Sequence, residues 1–65
     1  MNNESIELHF YLSESTQRFA IVPLTTIDDT FEEVDEQTYG LMQAALAQGK
    51  TIYKDNSGIW RIKEV

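Results

Sequence analysis

Apolar and polar residues alternate without a break along residues 5–12. Ile6, Leu8, Phe10 and Leu12 fall on one side, Glu7, His9 and Tyr11 on the other. That is the period of a half-buried strand. The polar run Ser13-Glu14-Ser15-Thr16-Gln17 supplies turn-forming side chains, and Arg18 to Val22 is extended again, so the two segments are predicted to pair as a hairpin. Pro23 has no amide hydrogen and therefore ends the second strand or confines it to an edge. Residues 24–33 carry no period and predict a connecting loop that enters a short extended stretch near Phe31.

Beyond that loop the period changes. Asp35 is placed as a helix N-cap with Glu36 and Gln37 in the first turn, although Thr38 stands where a capping box would have Glu or Gln. Leu41 to Gln48 are strong helix formers. Tyr39, Met42, Ala45 and Leu46 recur at three- and four-residue spacing and define the apolar face. Gly49 is a natural stop, with Lys50 beside the negative helix end. Gly40 lies inside the helix, where it costs about 1 kcal/mol relative to alanine, and close packing against the sheet is the expected reason for it. Thr51 to Lys54 and Ile59 to Lys63 then flank Asp55-Asn56-Ser57-Gly58, a run that favours a tight turn. The predicted order is ββαββ. The fold class is α+β, a small antiparallel sheet with one helix packed on a face.

Sixty-five residues make one small domain, 1–65, or a fragment of one, and never two, so the core is expected to involve nearly the whole chain. There are no cysteines and a single histidine, which removes disulfide staples and the usual zinc ligands. The longest unbroken apolar run, Phe19 to Val22, is far short of the roughly 20 residues of a membrane span. Met1-Asn2-Asn3-Glu4 has no signal-peptide character, so a soluble, cytoplasmic protein is expected. Charge is uneven. Residues 1–49 hold nine acids and one base, whereas residues 50–65 hold Lys50, Lys54, Arg61 and Lys63 against two acids. The negative charge peaks at Asp28, Asp29, Glu32, Glu33, Asp35 and Glu36. Such a chain lacks the basic footprint that direct nucleic-acid binding requires.

Catalytic patterns are missing. His9 sits between Leu8 and Phe10 on a strand, Ser13, Ser15 and Thr16 have no nucleophile elbow around them, and three glycines form no phosphate cradle. Asp55-Asn56-Ser57-Gly58 shares the start of a calcium loop but lacks its glycine spacing and its twelfth-position glutamate. Asn3-Glu4-Ser5 matches a glycosylation triplet that means nothing without secretion. No cofactor and no metal are expected, and the protein reads as a non-enzyme. The better candidates are aromatic. Phe10, Phe19 and Phe31 are expected in the core. Tyr11, Tyr53, Trp60 and Arg61 are of the types enriched at interface hot spots and are the candidate partner-binding residues. Trp60 is alternatively the core anchor, which would leave Tyr53 and Arg61 to present the exposed face.

Two segments carry a resemblance. Phe10-Tyr11-Leu12-Ser13-Glu14-Ser15-Thr16-Gln17-Arg18-Phe19 is similar to the opening strand, Ser/Thr-rich turn and aromatic return strand of the amino-terminal module of tailed-phage tail fibre assembly proteins. Val34-Asp35-Glu36-Gln37-Thr38-Tyr39, then Leu41 through Gln48-Gly49-Lys50-Thr51-Ile52 with Asp55 and Gly58, resembles that family's acidic helix start, its Gln-Gly-Lys helix exit and its closing hairpin. The likeness spans nearly the whole chain. It departs at Trp60, where the family commonly has proline, and family members continue into a second domain that would lie beyond Val65. The resemblance implies a chaperone-like, non-catalytic phage or prophage protein of the bacterial cytoplasm. Its partner would be a tail fibre protein or a second copy of itself, giving a homo-oligomer. It carries over no catalytic or fibre-contact residues. The other reading is a small acidic phage inhibitor whose Asp28, Asp29, Glu32 and Glu33 imitate nucleic-acid charge and occupy a host nucleic-acid enzyme.

Overall fold

The computed structural model describes residues 7–64. Strands β1 (His9–Ser13), β2 (Arg18–Val22) and β3 (Phe31–Val34) are followed by helix α1 (Glu36–Ala47) and by strands β4 (Thr51–Lys54) and β5 (Trp60–Lys63). The fold is α+β. Its strands form two antiparallel sheets, one in the order β2-β1-β3 and one made by the β4–β5 hairpin.

The first sheet is narrower than the alternation suggests. Ser5 and Ile6 lie outside the described residues, and the ladder opens only at His9, opposite Val22. Pro23 follows Val22, and on the other side Phe10 is paired with Val34 just before the helix cap. Leu8 therefore has no partner strand, and it is exposed. The extended stretch near Phe31 becomes a full strand that pairs with β1 from Phe31 opposite Ser13 to Val34 opposite Phe10. Because β2 and β3 flank β1 on opposite edges, the connection 23–30 must cross β1. Ser13, on the face opposite Leu12, donates from Oγ to Thr30 Oγ1 at 2.8 Å, which places the crossing on that face. Ala20, on the same face, is buried.

Local chemistry sets both helix ends. Asp35 accepts from the Thr38 amide at 3.0 Å, satisfying a first-turn donor. At the far end Gly49 takes φ 82°. Its amide donates to Leu46 O at 3.0 Å and the Lys50 amide to Ala45 O at 2.9 Å. This paired closure is a Schellman motif, which needs a left-handed residue. The predicted apolar face goes inward. Met42 and Ala45 are buried with Leu12 and Ile52, and Val34, Tyr39, Leu46 and Trp60 pack around them. Leu12 comes from the first sheet and Ile52 from the second, so α1 covers the seam between them. Burying Leu12, Met42 and Ile52 stabilises the fold by about 1.5–3 kcal/mol each. Tyr39 meets Phe10 at 5.0 Å and Phe19 edge-on at 5.8 Å between ring centroids. Phe10, on the central strand, is half-buried, Phe19 stays partly exposed and Phe31 is half-buried, so none of the three is a full core residue, least of all Phe19 and Phe31. Those two lie on edge strands, where one flank has no neighbour.

Gln17 joins the two sheets. It closes the β1–β2 turn with φ 57°, a conformation that disfavours residues other than glycine. Its Oε1 accepts from the Ile52 amide and its Nε2 donates to Ile52 O, both at 2.8 Å. One side-chain amide thus supplies what a neighbouring strand residue would supply. Nε2 also donates to Glu14 O at 2.7 Å, fixing the turn itself. Among the described residues no buried side-chain N or O atom lacks a partner.

Gly40 is exposed, and a Cβ built there would meet nothing within 4 Å. The expected close approach to the sheet is absent because position 40 faces away from it. Gly40→Ala should therefore raise stability by about 1 kcal/mol, measured as a higher urea midpoint with an unchanged slope. Gln17→Ala should lower stability by about 1–3 kcal/mol, since it leaves the Ile52 amide and carbonyl without partners. Gln17→Gly relieves the backbone conformation yet removes the same bonds. It too should be less stable than the parent, and a more stable glycine variant would show that the amide bonds contribute little.

Candidate protein-binding face

The turn of the closing hairpin is organised by one carboxylate. Asp55 Oδ1 accepts from the Ser57 amide at 2.9 Å, Ser57 Oγ at 2.7 Å and the Ile59 amide at 3.0 Å. Its Oδ2 accepts from Arg61 Nε at 2.7 Å. The Arg61 guanidinium first, and then the Ile59 amide and Ser57, hold the Asp55 carboxyl well below the usual carboxylate range. In return Asp55 raises Arg61. Gly58, at φ 83°, makes the left-handed step that lets the chain return.

Register then sorts the hairpin into two faces. Thr51 pairs with Lys63, Ile52 with Ile62, Tyr53 with Arg61 and Lys54 with Trp60. Since side chains alternate, the buried Ile52 fixes Lys54, Trp60 and Ile62 on the helix-facing side. Thr51, Tyr53, Arg61 and Lys63 form the outward side. Trp60 is half-buried against the core, with Lys54 Nζ 5.9 Å from its ring centroid and ion-paired to Glu32. Beside the outward side runs a shallow groove of about 500 Å³, lined by Glu14, Gln17, Thr51, Ile52, Tyr53 and Lys63. Of the four aromatic and basic candidates, the structure brings Tyr53 and Arg61 together on this face. Trp60 sits on the opposite face of the same hairpin. Tyr11 belongs to the other sheet, half-buried between Ala20 and Glu33. Glu14, Gln17, Thr51 and Lys63 complete the face and were not picked out by sequence reasoning. Alternation around Tyr53 and Arg61 could have found Thr51 and Lys63, whereas nothing local marks Glu14 or Gln17.

The acidic candidates are scattered. Asp28 Oδ1 accepts from the Thr30 amide at 2.8 Å and Thr30 Oγ1 at 2.5 Å. The Thr30 hydroxyl and then its amide lower the Asp28 pKa. That carboxylate ends a hydroxyl chain, because Thr16 Oγ1 donates to Ser13 Oγ at 2.7 Å and Ser13 in turn donates to Thr30. Glu32 is taken by Lys54, and Glu33 Oε2 lies 2.9 Å from His9 Nδ1. As neighbours on one strand, Glu32 and Glu33 point to opposite faces. Asp29 is exposed and enters none of the described ion pairs. The four carboxylates form no single face.

Among the described residues no group of three His, Asp or Glu side chains is placed to hold a metal ion. No helix there is long and apolar enough to cross a membrane. No family model, curated protein or solved structure matches the chain.

Titration follows from these contacts. Asp55, Asp28 and Asp35 have lowered pKa values. Their stabilising contribution is complete above the unfolded carboxylate value of about 3.9 and is lost as pH falls toward the folded values. His9 is raised, chiefly by its hydrogen bond to Glu33. Its contribution is complete below about pH 6.5 and is lost as pH rises through the folded value. Thermal unfolding followed by circular dichroism should therefore peak between about pH 5 and 6.5. Asp55→Asn should flatten the acid limb and leave the His9 limb unchanged.

Proposed function

We propose that this chain is a non-catalytic protein-binding module that serves as a chaperone-like factor in phage tail fibre assembly, inside the bacterial host. Its partner is a tail fibre polypeptide. The observation that carries the binding reading is the outward face of the β4–β5 hairpin. There Tyr53, 37% exposed, and Arg61 lie directly opposite each other beside an open groove. Tyrosine and arginine bring large contact area and directional donors to an interface, and a rigid hairpin loses little entropy on presenting them. The fibre partner rests on the likeness of residues 10–19 and 34–58 to tail fibre assembly modules. Trp60 contributes by holding the hairpin against α1, which keeps the outward face in place.

The test is an affinity pull-down from phage-producing cells, with co-purifying proteins identified by mass spectrometry. The parent should retain a fibre polypeptide at high salt. Tyr53→Ala, with its fold checked by circular dichroism, should retain about ten-fold less, a loss in the range of an interface hot spot. Recovery of a nuclease or polymerase that is lost at high salt would overturn the proposal in favour of charge mimicry.

A further inference from the structure

The hydrogen bonds of Gln17 reveal which main-chain groups the hairpin leaves open. Since the Ile52 amide and carbonyl turn outward to Gln17, Ile52 and Ile62 are a non-hydrogen-bonded pair, and the Ile62 amide and carbonyl turn away from β4. The Lys54 amide likewise turns outward, toward Glu14 Oε2 at 3.4 Å, so the same parity opens the amide and carbonyl of Trp60. Among the described residues no hydrogen bond from another element reaches these four groups. The other edges are less open. Gln17 and Glu14 occupy β4, the Ile21 carbonyl of β2 accepts from the Thr25 amide at 2.7 Å, and β3 carries Glu32 and Glu33.

The side chains along the β5 edge have a definite chemistry. Arg61 and Lys63 lie on one side. Arg61 spends only Nε on Asp55, and Lys63 enters none of the described ion pairs, whereas Trp60 and the 37%-exposed Ile62 lie on the other. A chain of net charge −6 therefore presents a basic and apolar edge.

We propose that the free edge of β5 receives an extended segment of a partner protein in which acidic and apolar residues alternate. The incoming strand runs antiparallel and exchanges main-chain hydrogen bonds with Ile62 and Trp60, the β-augmentation mode of recognition. Residues opposite Ile62 and Trp60 are apolar, and those opposite Lys63 and Arg61 are acidic. This rests on the binding-module reading and specifies the partner's recognised segment. A second copy fits poorly, because two β5 edges would set Arg61 and Lys63 against their own kind.

The test titrates isotope-labelled protein with a capped peptide built on Glu-Val-Glu-Val and, separately, on Lys-Val-Lys-Val. With the acidic peptide, amide exchange at Trp60 and Ile62 should slow, while Arg61 and Lys63, already bonded to β4, should not change. The basic peptide should bind about ten-fold more weakly, and Lys63→Glu, an exposed substitution, should narrow or invert that preference. Equal binding of both peptides, no shift at millimolar concentration, or protection on β2 or β3 instead would overturn the proposal. So would concentration-dependent protection of Trp60 and Ile62 without peptide, which would identify the occupant as a second copy. Failure here alongside a fibre polypeptide in the pull-down would sink the edge and leave the module reading standing. An acidic peptide bound at β5 with no fibre polypeptide recovered would do the reverse.

Discussion

A single side-chain amide stands in for a strand. The two bonds from Gln17 to Ile52 close the open edge of β4, dock the β1–β2 turn against the second sheet and fix the orientation of both hairpins beneath the helix. Without them Leu12 and Ile52 could still be covered by α1, but the seam between the sheets would have no directional contact at that point. Two bonds to a part-buried backbone matter in a core built around four buried residues. The cost of leaving such groups unpaired is comparable to burying a large apolar side chain.

The distribution of charge follows the same geometry. Lys54 sits where the sheets meet, its ammonium serving Glu32 and the Trp60 ring while its amide faces Glu14. Acids that look like a run in the sequence are separated by the pleat and the crossing connection, and three of the four have internal partners. The basic residues of β5 keep their capacity for outside contacts. Among the described residues Lys63 on β5 and Arg18 on β2 are the lysine and arginine that enter no ion pair, so this acidic protein leaves basic charge open on both hairpins.

Features set within a few residues were legible beforehand. Asp35 and Gly49 marked the helix ends because capping is local chemistry, and the turn at Asp55–Gly58 followed from the same kind of reasoning. Alternation gave the core of the first strand, and reading Trp60 as the core anchor put Tyr53 and Arg61 on the exposed face. What escaped is nonlocal. The joining of the two sheets depends on Gln17 reaching a residue 35 positions away, for which a turn-forming composition gives no sign. The place of β3 depends on a chain crossing, and the exposure of Leu8, Phe19 and Gly40 depends on which neighbours end early or never arrive.

The crossing of β1 by residues 23–30 constrains the order in which the chain can assemble. The β1–β2 and β4–β5 hairpins close over short loops and need nothing from each other, so each forms at small entropic cost. β3 cannot simply add beside β2. It must wait for β1 to be in place and then reach its far edge, and α1 follows it in sequence. The contact that unites the molecule, Gln17 with Ile52, spans 35 positions and needs both hairpins brought together before it can form. The residues that close the hairpins and those that join the two halves are therefore different sets. Changes at the joint would leave the hairpins able to form and would mainly alter how long they stay together.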